Sequence, residues 1–172
     1  MTEPCRTPRG PSVHKTEQHV HERHFVEEVG LVFDELGSQR MMGRIVGYLL
    51  LCEPPHQSSQ SIAEYLEASR GAVSTTTRQL LSMDMIERVP IQNSRSTYFR
   101  IKDQAWSSMM RQRMARLTIV REVAASGLAL LKDATPERRV RLQRFHDFYS
   151  YMEQEFQPII DRWDAVHPEE DK

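Results

Sequence analysis

Apolar residues recur at spacings of three and four along most of this chain, which is the pattern of amphipathic helices. The first stretch begins near His24 and ends at Gly37, a residue type that favours helix termination. The second, "RMMGRIVGYLLLCE", stops before two prolines, and its Gly43 and Gly47 lie four residues apart on one face. Two glycines in that register allow the backbone of another helix to approach closely.

Two longer helices are predicted in the second half of the chain. One extends from Trp106 to Lys132 without a proline, and the other follows Thr135, the predicted N-cap, and Pro136 at the first helical position. Pro158 is expected to kink the last turns of the final helix.

The final helix carries apolar residues at strictly alternating spacings of three and four, which is typical of a helix that packs along a partner helix. We expect this seam to be a dimer interface made of Leu142, Phe145, Tyr149, Met152, Phe156, Ile159 and Trp163. The alternative is that the seam folds back on the chain's own helix from 106 to 132. Val140, Phe148 and Ile160 broaden the apolar face enough for it to serve both surfaces.

The middle of the chain predicts two short helices, a tight corner and a hairpin. "IAEYLEASRGAVSTTTRQLLSMDMIERV" contains both helices, and "PPHQSSQ" before it is a loop whose serines offer caps. "IERVPIQ" and "TYFRI" alternate apolar and polar residues around the turn "NSRS". Pro90 cannot donate to a ladder, so its strand should lie at an edge.

These elements predict a mainly α fold class: a winged helix-turn-helix, with helices plus a small β-hairpin wing, and terminal helices forming a dimerisation module. The predicted boundaries are a disordered tail at 1–20, N-terminal helices for dimerisation and winged-domain packing at 21–53, the winged helix-turn-helix DNA-binding core at 54–104, long C-terminal dimerisation helices at 105–167 and a tail at 168–172.

Charge is distributed unevenly, although the formal net charge is only −1. Residues 69–121 carry a balance of +7, whereas the segments before and after them each carry −4. The basic segment begins at the corner between the two short helices. A local basic field of this kind favours binding to a phosphate backbone.

The helix after the corner presents small hydroxyl side chains and arginines, which are poorer choices than Leu, Lys or Glu for helix formation alone. Hydroxyls can bond to base edges and phosphates, and an arginine can bind guanine with two hydrogen bonds. The predicted contacts to double-stranded DNA are Ser69, Arg70, Gly71, Ser74, Thr75, Thr77 and Arg78 on this helix, and Asn93, Ser94 and Arg95 at the hairpin turn. The alternative is that a Ser/Thr-rich face is merely solvated.

Several stretches resemble the MarR-type winged-helix transcription regulators, and within them the branch typified by the choline-responsive repressor GbsR. The resemblance is carried by "GRIVGYLLL", "SIAEYLEASRGAVSTTTRQL", "RVPIQNSRSTYFRI" and "RLQRFHDFYSYM". One departure is Glu67, at a corner position where such proteins often have glycine.

The resemblance implies a homodimeric repressor that binds a pseudo-palindromic operator and is modulated by a small-molecule effector. It also implies an effector pocket between the dimerisation module and the winged domain. The aromatic candidates to line it are Phe33, Tyr48, Trp106 and Tyr149, which could stack on a cation. Aromatic residues at helical spacing also occur simply as core.

Other function classes find less support in the sequence. No phosphate-binding glycine loop, nucleophile elbow or HExxH motif is present, so we expect no enzyme and no cofactor. The alternatives left open are a winged-helix module for protein–protein contact, and a metal-sensing repressor using His19, His21 and His24, although such tracts are mostly incidental and we assign no metal site.

The sequence also predicts where the protein is located in the cell and whether its cysteines form a disulfide. The longest apolar run, Ile45 to Cys52, is too short to cross a bilayer, and the N-terminus has no apolar signal core. We therefore expect a cytoplasmic protein with no membrane partner. Cys5 and Cys52 are expected to be free thiols, and Cys52 an inert one at the end of an apolar helix.

Overall fold

A computed structural model describes the backbone of residues 13–168 and the side chains from residue 17 onward. Its elements in chain order are α1 (Val13–Glu35), α2 (Arg40–Leu51), β1 (Gln57–Ser58), α3 (Ser59–Tyr65), α4 (Arg70–Ser82), β2 (Ile86–Val89), β3 (Tyr98–Ile101), α5 (Ala105–Leu130) and α6 (Pro136–Val166). The predicted fold class is confirmed: the described chain is mainly helical with one small sheet.

The first helix is longer than the sequence predicts. α1 begins at Val13, so residues 13–20, which were predicted to belong to a disordered tail, are helical. These residues lack apolar periodicity, but Lys, Glu and Gln favour a helix, and the Gln18 side chain donates to Glu22 Oε1 at 3.0 Å. The rest of that predicted tail, together with Cys5, lies outside the described residues.

The predicted stop at Gly37 is confirmed. Gly37 has a φ of +75°, a left-handed conformation that favours glycine. The amide of Ser38 donates to the carbonyl of Phe33 at 2.9 Å, and that of Gly37 donates to Asp34 at 2.9 Å. Both hydrogen bonds belong to a Schellman motif, which satisfies carbonyls at the end of α1.

A three-stranded antiparallel sheet has the order β1-β3-β2. The hairpin of β2 and β3 was predicted, and β2 lies at an edge as Pro90 requires. β1 was not predicted: the loop "PPHQSSQ" contains two residues that pair with β3, Gln57 with Phe99 and Ser58 with Tyr98. Ser58 also caps α3, since its Oγ accepts from the amide of Ser61 at 3.0 Å.

The chain forms two compact units. The first contains the chain up to residue 79 together with 88–101, and the second contains 80–87 and 102 onward. The buried apolar residues of the first unit are Val26, Met42, Ile45, Val46, Leu49, Ile62, Ala63, Leu66, Val73 and Phe99. Those of the second unit are Leu80, Met85, Ile86, Ala105, Ala124 and Ile160.

In the second unit α5 and α6 form an antiparallel pair. Arg121 Nε donates to Glu153 Oε2 at 2.7 Å, and Arg111 Nη1 donates to Asp161 Oδ1 at 3.0 Å. Pro158 lies inside α6, which continues to Val166. Ile160 is buried, so α6 does pack within its own chain, as the alternative for the seam requires.

Candidate nucleic-acid interface

α4 separates its residues cleanly into a buried side and an exposed side. Val73 and Leu80 are fully buried and hold the helix against the protein. The exposed residues at its start and along its outer face are Ser69, Arg70, Gly71, Ser74, Thr75 and Arg78, as predicted. Ser69 is the N-cap of this helix, because its Oγ accepts from the amide of Ala72 at 3.1 Å.

Thr77 does not belong to this exposed face, so its predicted place among the DNA contacts is corrected. Its side chain is only 3% exposed, and its hydroxyl donates to the carbonyl of Val73 at 2.8 Å. Thr76, its neighbour, is equally buried. The threonine run "TTT" therefore turns two of its three members inward, where a back-bonded hydroxyl needs no partner from solvent.

The exposed face is small and polar, with Arg70 at its start and Arg78 further along the helix. The Arg78 guanidinium lies along the helix, with Nε donating to the carbonyl of Ser74 at 3.2 Å and Nη2 to the hydroxyl of Thr75 at 3.4 Å. A Cβ atom added at Gly71 would meet only Ser69 Oγ, at 4.0 Å. No contact inside the described protein therefore requires a glycine there.

The hairpin places a second set of polar residues in the same unit. Asn93 adopts a φ of 63° at the turn, and the amide of Ser96 donates to Ser94 Oγ at 3.2 Å. Arg95 is exposed and has no carboxylate partner within residues 17–168. Arg88, exposed on β2, was missed by the sequence analysis, because a single basic residue in a strand carries no positional signal of its own.

Two of the four aromatic residues predicted to line an effector pocket belong to each unit. Tyr48 lines a cavity of about 280 Å³ in the first unit, and Trp106 lines another of about 310 Å³ in the second. Phe33 packs against α2 beside Gly43, and Tyr149 contacts the rings of its helix neighbours at 4.9 and 5.4 Å. An effector pocket lined by all four residues stays a prediction.

The Tyr48 cavity combines an aromatic wall with polar groups. The rings of Tyr48 and Tyr65 stack with centroids 4.1 Å apart. Burial, together with the neighbouring Cys52 and Tyr65, raises the pKa of Tyr48 to about 12. Burial also raises the pKa of the Cys52 thiol, which disfavours the reactive thiolate. The remaining lining residues are Glu22, Leu51, Glu53 and Gln57.

Of the N-terminal histidines, His19 and His24 make other contacts. The ring of His19 meets that of Tyr65 edge-on at 5.6 Å, and His24 Nδ1 lies 3.5 Å from Glu28 Oε2. Across the part of the chain that the structure describes, no group of three or more His, Cys, Asp or Glu side chains could hold a metal ion. That same part contains no helix with the length and apolar character needed to cross a membrane.

Large apolar side chains remain exposed on the three longest helices. On α6 the predicted seam residues Phe145, Ile159 and Trp163 are 43–49% exposed. The others with high exposure include Val20, Leu31, Val32 and Leu36 on α1, and Ile119, Val123 and Leu130 on α5. Apolar surface of this extent is typical of a protein–protein interface.

Two helices joined by a tight corner and followed by a hairpin of an antiparallel sheet define a winged helix-turn-helix protein. Residues 104–167 match the family model of MmpR5-like MarR family transcriptional regulators. The chain is 36% identical over 147 residues to the HTH-type transcriptional regulator MmpR5 of Mycobacterium tuberculosis, covering 86% of this chain and 89% of that protein. The chain therefore belongs to the MarR family of transcriptional regulators.

The comparison with solved structures agrees with this family assignment. The crystal structure of a transcriptional regulator superposes with a TM-score of 0.69 at 35% sequence identity, covering 84% of this chain and 99% of that one. The family and the relative that this chain matches are transcriptional regulators and not enzymes, as the sequence analysis predicts. The relatives are MmpR5-like, and the GbsR-like branch stays a prediction.

Proposed function

We propose that this protein is a sequence-specific repressor that binds double-stranded DNA with the exposed face of α4 in the major groove. The observation that carries the proposal is the composition of that face. Gly71, Ser74 and Thr75 are short enough to let the helix approach base edges closely, and Arg78 has a guanidinium that can bind guanine.

The positive charge of the exposed arginines also supports binding to DNA. Arg70, Arg88 and Arg95 are exposed, and none of them forms an ion pair with a carboxylate of residues 17–168. Cations without an acidic partner are available to phosphates, and each phosphate contact releases counterions from DNA. The wing turn at Asn93, Ser94 and Arg95 then contacts the backbone or the neighbouring minor groove.

We propose further that the protein acts as a homodimer. One winged helix buries little surface on DNA, whereas a two-fold dimer binds two half-sites of a pseudo-palindrome about 34 Å, or a multiple of it, apart. The exposed apolar residues of α1, α5 and α6 supply the surface for this contact.

Small-molecule modulation is proposed at the Tyr48 cavity, because this cavity joins stacked rings to polar groups.

The experiment that tests DNA recognition is selection from random duplexes. The full-length protein should enrich a two-fold symmetric motif, and its affinity for the enriched duplex should fall steeply with salt. A module used only for protein–protein contact would enrich no motif and bind duplexes of any sequence weakly or not at all.

A further inference from the structure

Both helices of the helix-turn-helix end in a Schellman turn whose left-handed residue is acidic. At the end of α3, Glu67 has a φ of 51°, and the amide of Ala68 donates to the carbonyl of Ala63 at 2.9 Å. At the end of α4, Asp84 has a φ of 58°, and the amide of Met85 donates to the carbonyl of Leu80 at 3.0 Å. Glycine is favoured at such positions, because a side chain there is strained.

Glu67 binds a helix outside the helix-turn-helix. Arg23 of α1 donates through Nη2 to Glu67 Oε1. The adjacent carbonyl of Leu66 accepts from Arg44 Nη2 of α2 at 2.9 Å, and Arg44 Nε donates to Glu27 Oε1 of α1 at 2.7 Å. The corner before α4 is thus held by one turn of α1, both directly and through α2.

The Glu27 carboxyl, which binds Arg44, is ionised at neutral pH. Burial raises the pKa of its carboxyl, but hydrogen bonds and charges from Arg40 and Arg44 outweigh burial and leave the pKa below its ordinary value. The carboxylate therefore stays charged at neutral pH. It orients the Arg44 guanidinium towards the corner carbonyl.

Asp84 makes the corresponding contact at the other end of α4. Lys102 Nζ lies 2.8 Å from both carboxylate oxygens of Asp84, and Ser108 Oγ donates to Asp84 Oδ2 at 3.2 Å. Lys102 precedes α5, and Ser108 lies in its first turn. The end of α4 is thus bound to the start of α5.

Stability alone does not explain these two acidic residues. Glu67 is 72% exposed and Asp84 53% exposed at the side chain, and exposed ion pairs contribute little to folding. A glycine would relieve the backbone strain at either position and lose only such a pair. What a glycine cannot do is link an end of α4 to α1 or α5.

We propose that Glu67 and Asp84 are positioning residues for DNA binding, which fix the two ends of α4 against α1 and α5. Neither residue needs to touch DNA, so neither would be found by searching the exposed face for contacts. The inference rests on the proposed function, since it concerns how the helix that binds DNA is oriented.

The test uses full-length Glu67→Gly and Asp84→Gly variants on the duplex enriched by the wild-type protein and on a random duplex of equal length. We expect each variant to keep its Tm within about 3 °C of the wild type. Affinity for the enriched duplex should fall roughly 3- to 10-fold, with little change on the random duplex. Glu28→Gln, which removes an α1 carboxylate beside His24, is the matched control and should leave both affinities unchanged.

Charge reversal separates positioning from a general structural effect. Arg23→Glu should lower specific affinity, and Arg23→Glu combined with Glu67→Arg should restore most of it. Unchanged specific affinity in both glycine variants would overturn the proposal. So would a loss of affinity that follows a loss of Tm, because that would mean the carboxylates only stabilise the fold.

A measurement without DNA keeps the inference distinct from the proposed function. In Arg23→Gln, hydrogen exchange at the Ala68 amide should accelerate at least several-fold at unchanged Tm, since the corner is released from α1. Unchanged exchange would show that Arg23 does not hold the corner. If the wild-type protein enriched no duplex, the proposed function would fail, and the exchange result would still decide whether the contact fixes the corner.

Discussion

Gly43 of α2 lies directly against Val29 of α1: a Cβ atom added to Gly43 would stand 2.5 Å from the Val29 carbonyl oxygen. The same atom would lie 2.8 Å from Gly30 Cα. Both neighbours are backbone atoms, which cannot move aside as the end of a side chain can. The close approach predicted from two glycines four residues apart is therefore a real feature of the α1–α2 pair.

Gly43→Ala should consequently destabilise the protein. Alanine favours a helix by about 1 kcal/mol over glycine, but overpacking a close contact costs about 1–3 kcal/mol and here has to move backbone. We expect a net loss in the free energy of unfolding, measured by urea denaturation. A variant as stable as the wild type would mean that α1 and α2 are not packed this closely.

Gly71→Ala should have the opposite effect on stability and a harmful effect on DNA binding. The added methyl group would meet nothing nearer than Ser69 Oγ, at 4.0 Å, so the helix propensity gain of up to about 1 kcal/mol should appear in the free energy of unfolding. Affinity for the enriched duplex should fall about tenfold, as for the loss of one base contact. A stabilised variant with full affinity would show that Gly71 does not face DNA.

The elements with strong periodicity could be predicted from the sequence, and the short or locally determined ones could not. α2, α4, α5 and the hairpin carry apolar patterns several turns or residues long. β1 has only two residues, too few to show alternation, and pairs through backbone groups that the sequence does not reveal. The start of α1 is helical without an apolar face, so periodicity gave no signal there.

The exposed face of α4 could largely be predicted from the sequence, but the burial of Thr77 and the contact made by Glu67 could not. The helical spacing of Ser74, Thr75 and Arg78 placed them outward. Thr77 lies four residues after Val73 on the buried side of the helix, and its hydroxyl donates back to the Val73 carbonyl. At Glu67 the sequence showed only a departure from the glycine that similar proteins often have at this corner. Glu67 adopts a left-handed conformation, and its carboxylate binds Arg23, a contact 44 residues away in sequence.

Arg95→Ala should weaken binding without changing sequence preference. Arg95 is an exposed cation at the wing, and a single phosphate contact carries no information about bases. Affinity for enriched and random duplexes should fall by the same factor, and the slope of log K against log salt should decrease by about one. An unchanged slope would indicate that the wing does not touch DNA.

Charged substitutions on α6 should dissociate the proposed dimer. Phe145 and Ile159 are 43% and 49% exposed in the single chain, so replacing both with glutamate should leave the packing of α5 on α6 intact. We expect a helical monomer by circular dichroism and sedimentation, with much weaker binding to a two-fold symmetric duplex. A double variant that remains dimeric would place the interface elsewhere.

The central claim, that α4 reads DNA sequence, is tested most directly by the ratio of two dissociation constants. We would measure Kd for the enriched duplex and for a random duplex at one fixed salt concentration, for the wild type and for Arg78→Ala. The wild-type ratio should be on the order of a thousand or more. Arg78→Ala should lose roughly 1–3 kcal/mol on the enriched duplex and much less on the random one. Equal losses on both duplexes, or a wild-type ratio near one, would contradict the claim.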